Sequence, residues 1–511
     1  MRKMAEANRR EFPIFTQKVI SFFIILVGII LRLAQYIFNR SLTEGEAALA
    51  LNIVQRSYAQ LLKPLDYVQA APVGFLLIQK SISSLFGANE YGLRLFPLIA
   101  GVAALFFFYE VGKKIISRQS LIIGLVLFAV GDHLIYFASE VKQYSSDVLI
   151  ALLIIWLTML VFNKGFNIKY LLLFGFIGGL CLWFSHPALF VFGGSLVTMF
   201  LYILHKRSYT KIPGLAFATI FGLGSFVINY LVTLSDLSQS KNLMTFWQKS
   251  FMPLPPTSLT DLKWFGYVFL RTFKFPVGLS VYELFLAVLA FFWGCFLMFK
   301  NKKIHLLLII SPICLALFAS GLHRYPFEGR LLLFLTPFMV LIIAQGISDI
   351  QLKLKTRSNF LGLAIVCILL VQPVLLAGYH LIRPRAPEEL RSTLDYVEAN
   401  WQKEDMIYVY YASLNAFLYY HSRYGFQTQY VCGIESRSQW AKYYYDLARL
   451  KGNKRAWFVF SHIATSQGID EKRLFKSYLD ILGEQLDAFQ APGSAAYLYD
   501  MTVDKLLDRA E

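Results

Sequence analysis

The chain has 511 residues, 57% of them hydrophobic and only 16% charged. A soluble domain of ordinary composition is about half apolar and about a quarter charged, so this balance argues against a soluble fold and for a polytopic membrane protein. Net charge is +17, yet residues 385–511 hold 15 basic against 17 acidic residues. The excess therefore belongs to the apolar part, which argues against nucleic acid and for basic cytoplasmic loops and an anionic ligand.

In chain order, residues 1–17 are polar and basic, with no cleavable signal pattern. They run into a first span at about 18–38, followed by an outer loop over 39–90. That loop opens on Ser41-Leu42-Thr43-Glu44-Gly45-Glu46, where Thr43 and Glu46 form a capping-box pattern that starts a helix over 47–58. Residues 71–87 are apolar but short and carry Lys80, which places them in the interface. Glu90 and Arg94 stand at helical i,i+4 spacing, the pattern of a structural ion pair. Further spans read as 91–112, 120–138, 145–163, 170–184, 187–205, 212–233, 281–299, 304–321, 330–348 and 359–379, about eleven in all. The break at Ser185-His186-Pro187 is set by proline, which disfavours helix at the residue before it.

With a cytoplasmic N-terminus, the inner connections hold Lys113, Lys114 and Arg118; Lys164 and Lys169; Lys206, Arg207 and Lys211; Lys300, Lys302 and Lys303; Lys353, Lys355 and Arg357. Each is short and basic, as the positive-inside rule asks. The outer side then receives 39–90, 139–144, 185–187, 234–280, 322–329 and the tail. In the tail, 405–410 and 456–461 read as strands, 437–450 and 468–485 as helices, and 486–490 with 495–500 as a hairpin about Pro492-Gly493. The predicted organisation is a transmembrane domain over 1–384 and a small outer α/β domain over 385–511. The five cysteines suggest neither a disulfide framework nor a metal site.

Four polar clusters fall in outer segments. They are Glu44 and Glu46 with Lys63 and Asp66 later in the same loop; Glu140, Lys142 and Tyr144, with Asp147 beyond; His186; and His323, Arg324 and Arg330. Ionisable groups at a membrane boundary are costly and point to function. A carboxylate can take a proton from an acceptor hydroxyl, and the cations can hold a phosphate. A sugar on a polyprenyl phosphate carries its leaving group with it, so one base and an electrostatic clamp suffice. Plainer roles stand beside these: a helix cap for Glu46, an ion pair for Glu140 and Lys142, a cap for His186, headgroup anchors for Arg324 and Arg330, a turn for Lys63 and Asp66.

These motifs, in this order, resemble the bacterial family-39 type glycosyltransferases of the GT-C superfamily, with the protein O-mannosyltransferases and lipid A aminoarabinose transferases. They are Ser41 to Asn52, Pro64 to Tyr67, Gln69 to Pro72, Asn89 to Leu95, Ser139 to Asp147 and Arg324 to Arg330. The resemblance implies a sugar moved from an undecaprenyl- or dolichyl-phosphate carrier to a lipid, glycan or protein acceptor. The site would lie on the outer face of a bacterial inner membrane. It implies Lys142 and Arg330 as phosphate contacts, with His323 and Arg324 secondary, and Glu140 orienting one of them. The family carries an Asp-Glu pair in the first outer loop. Here Gly45 stands at the Asp position and Glu46 at the Glu position, which leaves the base to Glu44, to Glu46, or to neither. Some relatives use a divalent metal; no ligand spacing here establishes one. A lipid-linked sugar transporter and a catalytically inactive relative are the alternatives.

Overall fold

The computed structural model describes residues 14–235, 241–426, 430–437, 439–466 and 468–503. The apolar runs fold as helices, the form in which a chain in lipid satisfies its own backbone. In order they begin with α1 (Ile14–Ile37), α2 (Glu44–Gln55), α3 (Val73–Phe86), α4 (Glu90–Ile115), α5 (Arg118–Val130), α6 (Asp132–Phe137), α7 (Tyr144–Asn163) and α8 (Ile168–Phe184). There follow α9 (Ala188–His205), α10 (Ile212–Asn229), α11 (Lys241–Phe246), α12 (Leu259–Lys274), α13 (Val281–Asn301), α14 (Lys303–Gly321), α15 (Thr336–Lys355) and α16 (Asn359–Ile382).

Nine helical segments among the described residues are long and apolar enough to cross a membrane. All eleven expected spans fall on helices, but α5 and α8 have only 13 and 17 residues. These two are the shorter apolar helices among the expected spans, and the Val141 backbone N reaches Glu46 in the loop before α4, so α5 with α6 brings the chain back to the side from which α4 starts. The interruption after α5 falls at Gly131, which ends one helix and precedes the next. Phe22, Ile220, Phe285 and Phe360 stay exposed on these helices, as side chains facing lipid do. The chain is a multi-pass membrane protein. The proline break between α8 and α9 lies at Ser185 to Pro187, as the sequence requires.

The tail begins with α17 (Leu390–Ala399) and holds α18 (Leu414–Tyr420), α19 (Ala441–Ala448) and α20 (Glu471–Leu482). Its strands are β1 (Met406–Val409), β2 (Tyr430–Cys432), β3 (Ala456–Ser461), β4 (Thr465–Ser466), β5 (Ile469–Asp470), β6 (Glu484–Ala491) and β7 (Ser494–Asp500). Five make one sheet in the order β2-β1-β3-β7-β6, with β1 parallel to both its neighbours and β7 antiparallel to β3 and β6. Side chains alternate across a strand, and both faces are covered. Ile407, Val409, Trp457, Val459 and Leu498 pack toward α17, α18 and the segment between α1 and α4. Tyr408, Tyr410, Phe458, Phe460 and Tyr497 pack toward α19 and α20. The first face shares its core with Leu42, Leu49, Phe75, Leu93 and Val141, so the tail is docked on the loop that carries α2 and α3.

The segment over 234–280 holds a helix that the sequence reading passed over. Ser258 and Asp261 form a capping box that starts α12. Its Leu259, Leu262, Tyr267 and Leu270 are exposed, beside the basic Lys263, Arg271 and Lys274, a composition suited to lying in a membrane interface. Arg271 pairs with Glu328 at 2.6 Å, which ties α12 to the segment leading into Arg330.

Candidate functional site

The site grows from the start of α2. Thr43 caps this helix: its Oγ1 accepts from the Glu46 backbone N, and its own N donates to Glu46 Oε2 at 3.0 Å. The carboxylate then does more than cap. Arg94 donates to Glu46 Oε1 from Nε at 3.1 Å and from Nη2 at 3.0 Å, and reaches Oε2 at 3.2 Å. Arg40 Nη1 donates to Oε2, and the Val141 backbone N to Oε1 at 3.0 Å. Glu46, Arg40 and Arg94 are all buried. Burial pushes the Glu46 pKa up, but the two guanidinium groups outweigh it and hold the carboxyl well below its ordinary range. Glu46 therefore joins the loop, α4 and the turn before α7. The expected Glu90–Arg94 pair does not form. Arg94 turns to Glu46, while Glu90 meets Arg391 at 3.0 Å and Arg423 at 3.4 Å from the tail. Cross-element charges decide the pairing, and helical spacing does not.

Glu44 points the other way. Its carboxylate accepts from Asn415 Nδ2 at 2.5 Å and from the Ala416 backbone N at 2.9 Å, at the start of α18. It thus caps a helix of the tail, where the free N–H groups favour negative charge. Burial still prevails and pushes the Glu44 pKa up to about 7. The Glu44 backbone N donates to Glu388 Oε2 at 2.9 Å, and Glu388 Oε1 lies 2.7 Å from His462 Nδ1. Ser41 Oγ donates to Glu389 Oε2 at 2.9 Å. Neither first-loop carboxylate stands free.

Between them, Gly45 faces the site. A Cβ built there meets only the Lys142 Cε within 4 Å, at 3.9 Å. Lys142 is buried, and its Nζ donates to Gln69 Oε1 at 2.5 Å. Arg330 lies over the Tyr144 ring, 5.7 Å from its centroid. Tyr136 stands between Arg40 and Arg385, whose guanidinium carbons are 4.7 and 4.5 Å from its centroid. Glu140 is buried among these charges and its Oε2 has no hydrogen-bond partner. Burial, then the nearby Arg330, push the Lys142 pKa down; burial, then Glu46, push the Glu140 pKa up. The structure thus brings Glu46, Glu140, Lys142, Tyr144 and Arg330 to one place.

The other sequence candidates lie elsewhere or do local work. His323 and Arg324 are exposed, and the His323 ring packs on Phe251 at 5.0 Å. Asp66 pairs with Arg56 at 2.7 Å, while Asn52 holds its backbone from both sides; Lys63 is exposed nearby. His186 sits half-buried in the turn between α8 and α9. Sequence reasoning missed Arg40 and Arg385, and paired Arg94 with Glu90 in place of Glu46. Arg40 directly precedes Ser41 and was legible as a cation beside the carboxylates; nothing local marks Arg385, which reaches Asp132 at 2.6 Å from the start of the tail. Among the described residues, no group of three or more His, Cys, Asp or Glu is placed to hold a metal ion.

No curated protein matches the chain by sequence. The sequence pattern of the family described as dolichyl-phosphate-mannose-protein mannosyltransferase matches residues 70–230. ArnT from Cupriavidus metallidurans, in its apo state, superposes with a TM-score of 0.54 at 10% identity, covering 93% of this chain and 97% of that one. The chain has the GT-C fold. The same ArnT bound to undecaprenyl phosphate gives a TM-score of 0.53 at 11% identity, over 95% of this chain and 98% of its own. The oligosaccharyltransferase AglB from Archaeoglobus fulgidus, in complex with an inhibitory peptide and a dolichol-phosphate, gives 0.50 at 10% identity, over 93% and 74%. The likeness to ArnT runs nearly end to end, so this version of the GT-C fold includes the tail.

Proposed function

We propose that the protein is a membrane glycosyltransferase that moves a sugar from a polyprenyl-phosphate carrier to an acceptor hydroxyl on the extracytoplasmic face. The observation that carries this reading is the burial of Lys142 beside Arg330, in a cluster that also holds Arg40 and Glu140. Buried cations are costly without an anion to meet them, and a phosphate is the anion that a lysine and an arginine fit best. The GT-C fold, seen in ArnT with undecaprenyl phosphate bound, supports a lipid as the carrier of that phosphate. Lys142 and Arg330 would hold it through the reaction and meet the charge that develops as it leaves. The tail, docked on the first loop through Arg391, Arg423 and Glu389, would close the site and receive the acceptor.

The test is binding and turnover in detergent. Purified protein is titrated with undecaprenyl phosphate, then incubated with undecaprenyl-phosphate sugars labelled in the sugar. The reading expects binding that weakens at least tenfold in Lys142→Ala and in Arg330→Ala. Binding that both variants leave unchanged would place the phosphate elsewhere. A second reading has its own observation, the bare Gly45 beside Lys142: a relative that holds the lipid-linked sugar without transferring it. Binding without sugar release is its signature.

A further inference from the structure

We propose that Glu140 is the general base of the transfer, a catalytic residue that takes the proton of the acceptor hydroxyl. The assignment rests on the reading that this cluster receives a polyprenyl-phosphate sugar.

Three observations converge on it. The two first-loop carboxylates are taken: Glu46 accepts from Arg40, Arg94, Thr43 and Val141, and Glu44 caps α18 of the tail. The α2 residue that does face Lys142 is Gly45, which has no side chain. Glu140 lies in the turn between α6 and α7, two residues from Lys142, 4% exposed, with Oε2 buried and without a hydrogen-bond partner. A buried carboxylate oxygen that no donor claims is expensive and is where a substrate hydroxyl would donate.

The charges around it suit the task. Arg330, Arg40 and Lys142 surround Glu140, Glu46 opposes it, and Tyr136 and Tyr144 both feel its charge. Burial and Glu46 raise its proton affinity above that of an ordinary carboxylate, toward the range in which a general base works best. In the step itself, the acceptor oxygen bonds to the anomeric carbon while the bond from that carbon to the phosphate oxygen breaks. The electron pair leaves with the polyprenyl phosphate, whose charge Lys142 and Arg330 meet. The acceptor's proton passes to Glu140 and then to water.

The experiment uses the full chain in detergent and measures release of undecaprenyl phosphate from undecaprenyl-phosphate mannose, glucose and galactose, alongside binding of undecaprenyl phosphate itself. Glu140→Gln is expected to lower kcat by about 100-fold or more, to keep the donor KM within about threefold, and to lose the acidic limb of the pH profile. Glu140→Asp keeps part of the rate and moves that limb. A Glu140→Gln protein that keeps kcat but loses lipid-phosphate affinity overturns the proposal and makes Glu140 a positioning residue for Lys142 or Arg330. So does a comparable loss of kcat in Glu44→Gln while Glu140→Gln stays active. A wild-type chain that binds undecaprenyl phosphate but releases sugar from none of the donors also overturns it, and leaves the lipid-phosphate reading standing. Absence of lipid-phosphate binding overturns both.

Discussion

Arg94 meets Glu46 side-on, with Nε and Nη2 both on Oε1 at 3.1 and 3.0 Å, across 48 residues of sequence and with neither side chain open to solvent. A pair buried this deeply earns its place through geometry, because desolvation of both charges opposes the attraction. Removing one partner strands the other. Glu46→Gln is expected to lower stability by about 3–5 kcal/mol, read as a drop in Tm in detergent. Arg94→Lys is expected to be nearly as damaging, since an ammonium cannot reproduce the fork. A Glu46→Gln protein with unchanged Tm and lost turnover would return Glu46 to the chemistry.

The clasp between Glu44 and the tail predicts a pH dependence. A carboxyl whose pKa is higher in the folded chain holds its proton more tightly there, so its contribution is full below the unfolded value of about 4.3 and is lost as pH rises. For Glu44 the loss runs through about 7. His462, raised by its bond to Glu388, shifts stability in the same direction: its contribution is present below about 6.5 and is lost as pH climbs past its folded value. Tm measured from pH 5 to pH 8.5 is expected to fall, and Glu44→Gln is expected to flatten that fall. Parallel curves for the two proteins would show that the clasp does not titrate.

Much of the frame was legible because membrane helices are written in composition. The positions of α7, α9 and α16, the proline break before α9 and the strand β3 all follow from apolar runs and from the φ limits of one residue. Lengths were harder: α5 ends at Gly131, inside a run whose hydrophobicity continues. The site was half legible. Lys142, Glu140, Tyr144 and Arg330 stood out as polar residues at span ends, and they do come together. What local sequence could not carry was partnership. Glu44 faces Asn415 across 371 residues, and Glu90 faces Arg391 across 301; pairings of that range depend on how the tail docks. The helix α12 was passed over because its apolar residues are spaced for an interface and not for a span.

The packing of α13 on α15 depends on two glycines. A Cβ at Gly346 would stand 1.9 Å from the Ala290 carbonyl oxygen, and one at Gly294 would stand 2.1 Å from that of Ile342. These are backbone atoms, so no rotamer change relieves the clash, and small residues at such contacts are what let helices approach closely in lipid. Gly346→Ala and Gly294→Ala are each expected to lower Tm markedly, by an overpacking cost of about 1–3 kcal/mol or more. Gly224, where a Cβ meets nothing within 4 Å, is expected to accept alanine without loss. Equal Tm values for all three variants would refute the close contact.

Gly45 can be tested by filling it. The position lies in the first turn of α2, where a carboxylate is favoured by about 0.3–1 kcal/mol, and the only atom near its Cβ direction is the Lys142 Cε at 3.9 Å. Gly45→Asp is therefore expected to fold with an equal or slightly higher Tm. The new carboxylate would then sit within reach of the Lys142 ammonium and compete with a lipid phosphate for it. Undecaprenyl phosphate affinity is expected to fall several-fold in Gly45→Asp, with the difference from wild type shrinking as salt screens the new charge and lost when Lys142 is already removed as the reference. If the variant binds the lipid as tightly as the wild type, Lys142 does not face the phosphate, and the donor must be held by Arg330 and its neighbours alone.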